Sequence, residues 1–303
     1  MFSNLSPRTI YLLFPRPDAL SSSCGLQVAR NLIYEVGYYG KQTSAFFQAM
    51  SRATVLLNNT MFGGPRAGVN FNDGFGGGDV MAGNILWGWV RETGDHGPFN
   101  SWDRQPYFWV DEAGEVRTAA AVRNITRNLI LNQEFVYGRT NADWTIDHDD
   151  GSSWYTDTYN VHVWGAHKWR DGANKTYANN LYVLPPNPVQ GSYMGIGYYT
   201  PNTRNSVFSN NTMVNWQSPY QFAYSWSVPY PAPGQDGGYT VTGNSYYTPG
   251  DSSLPFVVGG TSVRKLEDWQ ATCKCEQGSW INSNVELAEV VQWAENLLAS
   301  GLP

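Results

Sequence analysis

Asp157-Thr158-Tyr159-Asn160-Val161-His162-Val163 is followed by Tyr177-Ala178-Asn179-Asn180-Leu181-Tyr182-Val183 and then by Phe208-Ser209-Asn210-Asn211-Thr212-Met213-Val214. The three stretches share one grammar: a β-prone or polar triplet, an asparagine, then two or three β-prone residues. Earlier copies read Val28-Ala29-Arg30-Asn31-Leu32-Ile33-Tyr34, Leu57-Asn58-Asn59-Thr60-Met61-Phe62, Met81-Ala82-Gly83-Asn84-Ile85-Leu86-Trp87 and Ile125-Thr126-Arg127-Asn128-Leu129-Ile130. A later copy is Val241-Thr242-Gly243-Asn244-Ser245-Tyr246-Tyr247. An asparagine suits a tight bend between two short strands, because it tolerates the left-handed region and hydrogen-bonds locally. If the units stack, such asparagines form a ladder in which each amide satisfies its neighbour.

The anchors Asn31, Asn59, Asn84, Asn128, Asn160, Asn180, Asn211 and Asn244 are separated by 28, 25, 44, 32, 20, 31 and 33 residues. The shorter intervals suit one rung of a right-handed parallel β-helix, and 44 suits two rungs or one rung with a large loop. A β-propeller would space its blades more evenly, at about 40 to 50 residues. The expected fold is therefore all-β: a right-handed parallel β-helix solenoid over residues 25–250. Residues 1–24 match no repeat and read as an irregular or truncated N-terminal segment. Residues 251–303 read as a C-terminal extension. Within it, Leu266–Gln270 predicts a helical turn, and apolar residues at 287, 290, 291, 294, 297 and 298 predict a short helix capping the open end of the solenoid.

Composition agrees. Charged residues are 15% of the 303, whereas 13 Trp, 19 Tyr and 13 Phe are present, a profile that excludes helical bundles and disorder. A net charge of −6 disfavours nucleic acid as a partner. The apolar run Ile10–Phe14 is too short to span a bilayer or form a signal core. Cys24, Cys273 and Cys275 do not make a disulfide framework or a zinc knuckle, and read as free thiols. Sequons at Asn4, Asn58, Asn124, Asn174 and Asn210 suggest the secretory pathway or the extracellular space, although an Asn-rich β protein generates them by chance.

Two segments interrupt the grammar with polar chemistry: 91–104, with Asp95, His96, Trp102 and Arg104, and 144–152, with Asp147, His148, Asp149 and Asp150. Asp73 precedes a glycine-rich stretch that ends at Gly78. Consecutive ionisable residues at 147–150 repel one another unless a cation, a shared proton or solvent relieves them. With Gly40-Lys41-Gln42-Thr43-Ser44 before them and Leu266-Glu267-Asp268-Trp269-Gln270-Ala271 after, these segments resemble right-handed parallel β-helix proteins of the pectin-lyase-like superfamily. The resemblance spans roughly residues 27–300 and is closest to carbohydrate-active, glycoside-hydrolase-like members.

Glycoside hydrolysis needs two carboxyl groups flanking the scissile bond. Asp73, Asp95 and Asp147 follow their anchors by 14, 11 and 19 residues, so successive rungs would align them on one face. Neighbouring rungs place such groups about 5 Å apart, and rungs two apart about 10 Å. The expected catalytic set is Asp95, His96, Asp147 and Asp149. Asp73, Trp102, Arg104, His148 and Lys168 are expected to bind substrate, with Trp89, Trp144 and Trp154 as further ring surfaces for sugars. Carboxylates crowded together are expected to raise one pKa enough to supply a general acid. The partner is then a polysaccharide or oligosaccharide, acted on by a monomer without a cofactor. Two alternatives stay open. One is a polysaccharide lyase in which Ca²⁺ sits among the aspartates and Arg104, Lys168 or His148 removes a proton. The other is a non-catalytic glycan-binding or cell-surface solenoid.

Overall fold

A computed structural model describes residues 26–73, 76–94, 96–104, 109–111, 113–117, 121–132, 144–170, 172–184, 196–197, 205–216, 222–224, 239–249, 256–258, 261–263, 265–273, 275 and 277–299. The chain is mostly β. Three sheets of eight, nine and six strands are each parallel throughout. The chain visits them in turn. Gln27–Ala29 lies in the first sheet, Leu32–Tyr34 in the second and Phe46–Ala49 in the third, and Val55–Leu57 then returns to the first beside Gln27–Ala29. Each such circuit is one rung, and stacked rungs are consistent with a β-helix-like solenoid. Among the described residues, no helix is long and apolar enough to cross a membrane.

The repeated grammar forms the bend between the first and second sheets. Asn31 donates its backbone N–H and its side-chain amide to Asn59 Oδ1, both at 3.0 Å. The same double donation passes from Asn59 to Asn84, then to Asn128, Asn160, Asn180, Asn211 and Asn244. Ser279 ends the series, accepting from the Asn244 N–H at 2.8 Å. Each buried amide donor thus meets an acceptor on the next rung, which removes the desolvation penalty of a polar group in a dry interior.

One detail differs from expectation. The left-handed residue is the one before each anchor: Arg30, Asn58, Gly83, Arg127, Tyr159, Asn179, Asn210 and Gly243 have φ between 54° and 65°. The anchor's side chain is the ladder element, so the chain reverses one residue earlier. Two sequons are products of this arrangement. Asn58 and Asn210 occupy the left-handed position, and Thr60 and Thr212 open strands of the second sheet.

The 44-residue interval is one rung. Asn84 and Asn128 are adjacent in the ladder, and Val80–Ala82 pairs directly with Arg123–Thr126. Within the interval Phe99–Trp102 belongs to the third sheet. The chain then leaves it and forms an antiparallel hairpin of Trp109–Val110 with Val116–Arg117.

Inward residues of the first sheet align as Val28, Leu56, Met81, Ile125, Asp157, Tyr177, Phe208 and Val241. Most are fully buried and apolar, as a core formed only by stacking requires. Trp89 is also core: its indole N–H donates to Met61 O at 3.0 Å, and a side chain at Gly64 or Gly68 would collide with its ring.

Two helices follow. Leu266–Cys273 extends the predicted turn, and Leu287–Ala299 is the predicted terminal helix. The latter does not cap the open end. It packs along the outer face of the second sheet, against Val161, Leu181, Val183 and Val214. Those outward residues are apolar, and an amphipathic helix buries more of them there than it would at a solenoid end. Glu289 turns back to accept the Glu286 N–H at 2.8 Å, capping the helix start. Cys275 is disulfide-bonded, not a free thiol.

Candidate functional site

The third sheet carries the charged chemistry. Phe99 and Ile146 point into the core, so the period of two sends their neighbours Asn100 and Asp147 to the outer side. Register then forms an outward row of Asn70, Asn100, Asp147 and Lys168, with steps of about 4.8 Å. Two residues further along the strands, Asn72, Trp102, Asp149 and Arg170 continue the same side.

Cations alternate with carboxylates along this strip. Lys168 Nζ stands 3.2 Å from Asp147 Oδ1 and 3.2 Å from Asp149 Oδ1. Arg170 reaches Asp149 at 3.0 Å and Asp150 at 2.9 Å, and Arg104 reaches Asp150 at 2.7 Å. The side chain of Asp147 is 0% exposed and that of Arg104 is 52% exposed, so the series runs from the interior of the protein to solvent. The Arg104 guanidinium lies 4.1 Å from the centre of the Trp102 ring, and the Trp102 indole N–H donates to Asn72. Asp73 accepts the Arg104 backbone N–H at 3.0 Å.

The repulsion expected within 147–150 is thus relieved by side-chain cations. Burial pushes the Asp149 carboxyl up, but Lys168 and then Arg170 outweigh it and hold the group below its ordinary value. Asp149 is therefore ionised near neutrality. The expected upward shift from crowded carboxylates fails there, because Lys168 and Arg170 stand between them.

Of the expected residues, the strip brings together Asp73, Trp102, Arg104, Asp147, Asp149 and Lys168. His96 is half-buried, three residues ahead of Phe99. Asp95 lies outside the described residues, and with it the expected pairing of Asp95 with Asp147. His148 faces the other way. Its place between Asp147 and Asp149 on one strand turns it inward, where it is fully buried and cannot touch a substrate in the strip. Trp144 is buried, and Trp154 sits in a left-handed bend with φ 57°.

Beneath the strip lies a polar core that sequence reasoning missed. Asp157 Oδ2 is 2.8 Å from His148 Nε2 and 3.0 Å from His167 Nε2. His148 Nδ1 meets Ser101 Oγ at 2.7 Å, and His167 Nδ1 meets the Tyr182 hydroxyl at 2.6 Å. Burial pushes His148 down to about 4, against the pull of Asp157. Asp157 goes the other way from what burial favours: His148 and His167 bring it down to about 2. The Asp157 carboxylate thus accepts from both imidazoles, and that of His148 is neutral near pH 7. Ser101, His148 and Asp157 have the spacing of a nucleophile relay, but all three are fully buried. Their role is mechanical. Ser101, His148 and His167 adjoin Asn100, Asp147 and Lys168, so one inward tie fixes the strands that carry the buried outward row and, two residues on, the partly exposed Asp149 and Arg170. A second missed cluster holds the bend before the first sheet: buried Arg123 pairs with Asp79 at 3.2 Å and with Asp103 at 3.1 Å.

Comparison of the chain with models of protein families, with curated proteins and with solved structures finds no significant match.

Proposed function

We propose that the three sheets form a right-handed parallel β-helix of the pectin-lyase-like kind, and that the outer strip of the third sheet hydrolyses glycosidic bonds of a polysaccharide or oligosaccharide. The observation that carries this reading is the pair Asp147 and Asp149, on one side of one strand and clasped by the same ammonium of Lys168. Right-handedness follows from the strong preference of parallel crossovers. Glycoside hydrolysis needs two carboxyl groups at a fixed separation across the scissile bond, and a rigid sheet strand with Asp147 and Asp149 on one side supplies two at fixed positions. Asp149, held ionised, serves as nucleophile or as base for a water, and Asp147, buried beneath Lys168, becomes the second carboxyl only when Lys168 swings away from it. Until then Lys168 fixes both. Elimination from a uronate is less well supported, because Lys168, Arg170 and Arg104 are each engaged by aspartates and not presented to a substrate carboxylate. The disulfide at Cys275 supports an oxidising, extracellular setting.

The test is a panel of plant and algal polysaccharides, read both as new reducing ends and as absorbance of unsaturated products. The reading expects reducing ends without absorbance. It expects Asp149→Asn to lower turnover at least ~10²-fold while thermal unfolding stays near wild type. Absorbance rising with cleavage would establish elimination instead, and no cleavage of any polymer would leave a binding protein.

A further inference from the structure

Where the helix Leu287–Ala299 lies along the second sheet, an open cleft of about 510 Å³ remains between the helix and the bend that joins the first and second sheets. Its bend wall is made by Tyr159, Asn179 and Asn210, and its helix wall by Trp293 and Asn296. The volume falls within the range of about 300–1,000 Å³ usual for small-molecule sites.

The bend wall has a definite origin. Tyr159, Asn179 and Asn210 hold the left-handed position on three consecutive rungs, with φ 59°, 58° and 54°. They therefore form a column with steps of about 4.8 Å. The ladder uses the amides of Asn160, Asn180 and Asn211, one residue later. Among the described residues, the side-chain amides of Asn179 and Asn210 form no hydrogen bond. On the next rung Gly243 leaves room for Asn210: a Cβ there would stand 2.4 Å from Asn210 Oδ1.

No side chain lining the cleft is ionised. What it offers is primary amides, a threonine hydroxyl and the rings of Trp293 and Tyr159, one face of the latter being held by the Arg127 guanidinium at 4.7 Å. Amides supply donor and acceptor at once, which suits hydroxyl groups, and aromatic rings cover the apolar face of a pyranose. The step of the column is comparable to the length of one sugar ring along a chain. We propose that this cleft is a binding site for a neutral saccharide, separate from the charged strip on the third sheet and independent of any activity there.

The experiment uses the full chain made in a host that leaves asparagine unmodified. Cellohexaose, xylohexaose, mannohexaose and hexagalacturonate are titrated by calorimetry into four proteins: wild type, Trp293→Ala, Asn179→Gly with Asn210→Gly, and Asp149→Asn. Glycine is chosen because Gly83 and Gly243 occupy the same bend position on other rungs, so the backbone is kept even if Trp293→Ala loosens the helix. At least one neutral hexasaccharide is expected to bind, and hexagalacturonate is not. The glycine double variant is expected to weaken that binding at least about tenfold, and Asp149→Asn to leave it within about twofold. Binding of no neutral hexasaccharide, binding untouched by the glycine variant, or binding abolished by Asp149→Asn would each overturn the proposal.

Discussion

The bend between the first and second sheets and the outer face of the third sheet are built on opposite rules. Along the bend one residue type repeats eight times, and the first seven anchors each pass the same two hydrogen bonds to the next. An interval of 44 residues interrupts the sequence there without disturbing the ladder. Along the third sheet no residue type repeats in this way. Asn70, Asn100, Asp147 and Lys168 follow one another in register, and their charges are settled one ion pair at a time. Repetition is found where stacking must be enforced, and irregularity where side chains are displayed.

The largest effect is expected where the two rules meet, at Asp157. This residue occupies the core column of the first sheet, between Ile125 and Tyr177, and yet it serves the third sheet through His148 and His167. Asp157→Leu makes the column uniformly apolar. If Asp157 were only a core position, the change would stabilise the protein. We expect instead a loss of about 3–5 kcal/mol, the cost of leaving buried partners without their carboxylate, measured by denaturant unfolding.

Acid should separate the two regions next. The anchors of the bend do not titrate, whereas His148 lies at about 4 in the folded protein against 6.5 for an ordinary histidine. Between those values the unfolded chain binds more protons than the folded one, so stability falls as the pH falls. The full shift corresponds to a loss on the order of 3 kcal/mol, at 1.36 kcal/mol per unit. His162, also held low by burial, acts in the same sense. Unfolding free energy should be level above about pH 6.5 and decline towards pH 4. A level profile down to pH 4 would show that the imidazoles do not carry the tie.

These two regions also mark what the sequence discloses. The ladder is legible because each anchor brings its own flanking β-prone residues, and so is the parallel stacking that follows. The inward column is legible too, three residues before each anchor, and Asp157 is the one carboxylate in it. That misfit is visible in the sequence, inside an otherwise ordinary copy of the repeat. The third sheet offers no such guide. Its strands follow bends of unequal length, so nothing in the spacing shows that Asn100, Asp147 and Lys168 share a row. Nor does it show that Arg170 and Arg104 settle the charges of Asp149 and Asp150. His148 is a simpler case: it is adjacent to Asp147 in sequence, but on a strand adjacent residues face opposite ways.

A smaller effect tests whether position along the ladder matters. Asn128→Ala strands the buried Asn84 backbone N–H, while the Asn84 side-chain amide keeps Leu56 O and Ala82 O as acceptors. About 1–3 kcal/mol should be lost. Asn31→Ala, at the first described rung and half-buried, removes donors but leaves no buried group behind it, and about 1 kcal/mol or less is expected. Equal losses at the two positions would mean that the ladder is a set of independent bends and not a cooperative stack.

The smallest change is expected at the solvent end of the strip. Arg104 holds Asp150 at 2.7 Å and covers the Trp102 ring, but its side chain is half exposed. An exposed ion pair contributes about 0–1 kcal/mol, because water screens the attraction and holding two side chains together costs entropy. The stacking adds about as much again at an exposed site. Arg104→Ala should therefore lower the unfolding free energy by less than about 2 kcal/mol, and raising the salt concentration should reduce the difference from wild type further. Comparing this variant with Asp157→Leu in the same denaturant series weighs the displayed layer of the third sheet against the layer that positions it. If Arg104→Ala cost as much as Asp157→Leu, the strip would be part of what holds the rungs together, and the division between a repeated scaffold and a displayed charged face would not stand.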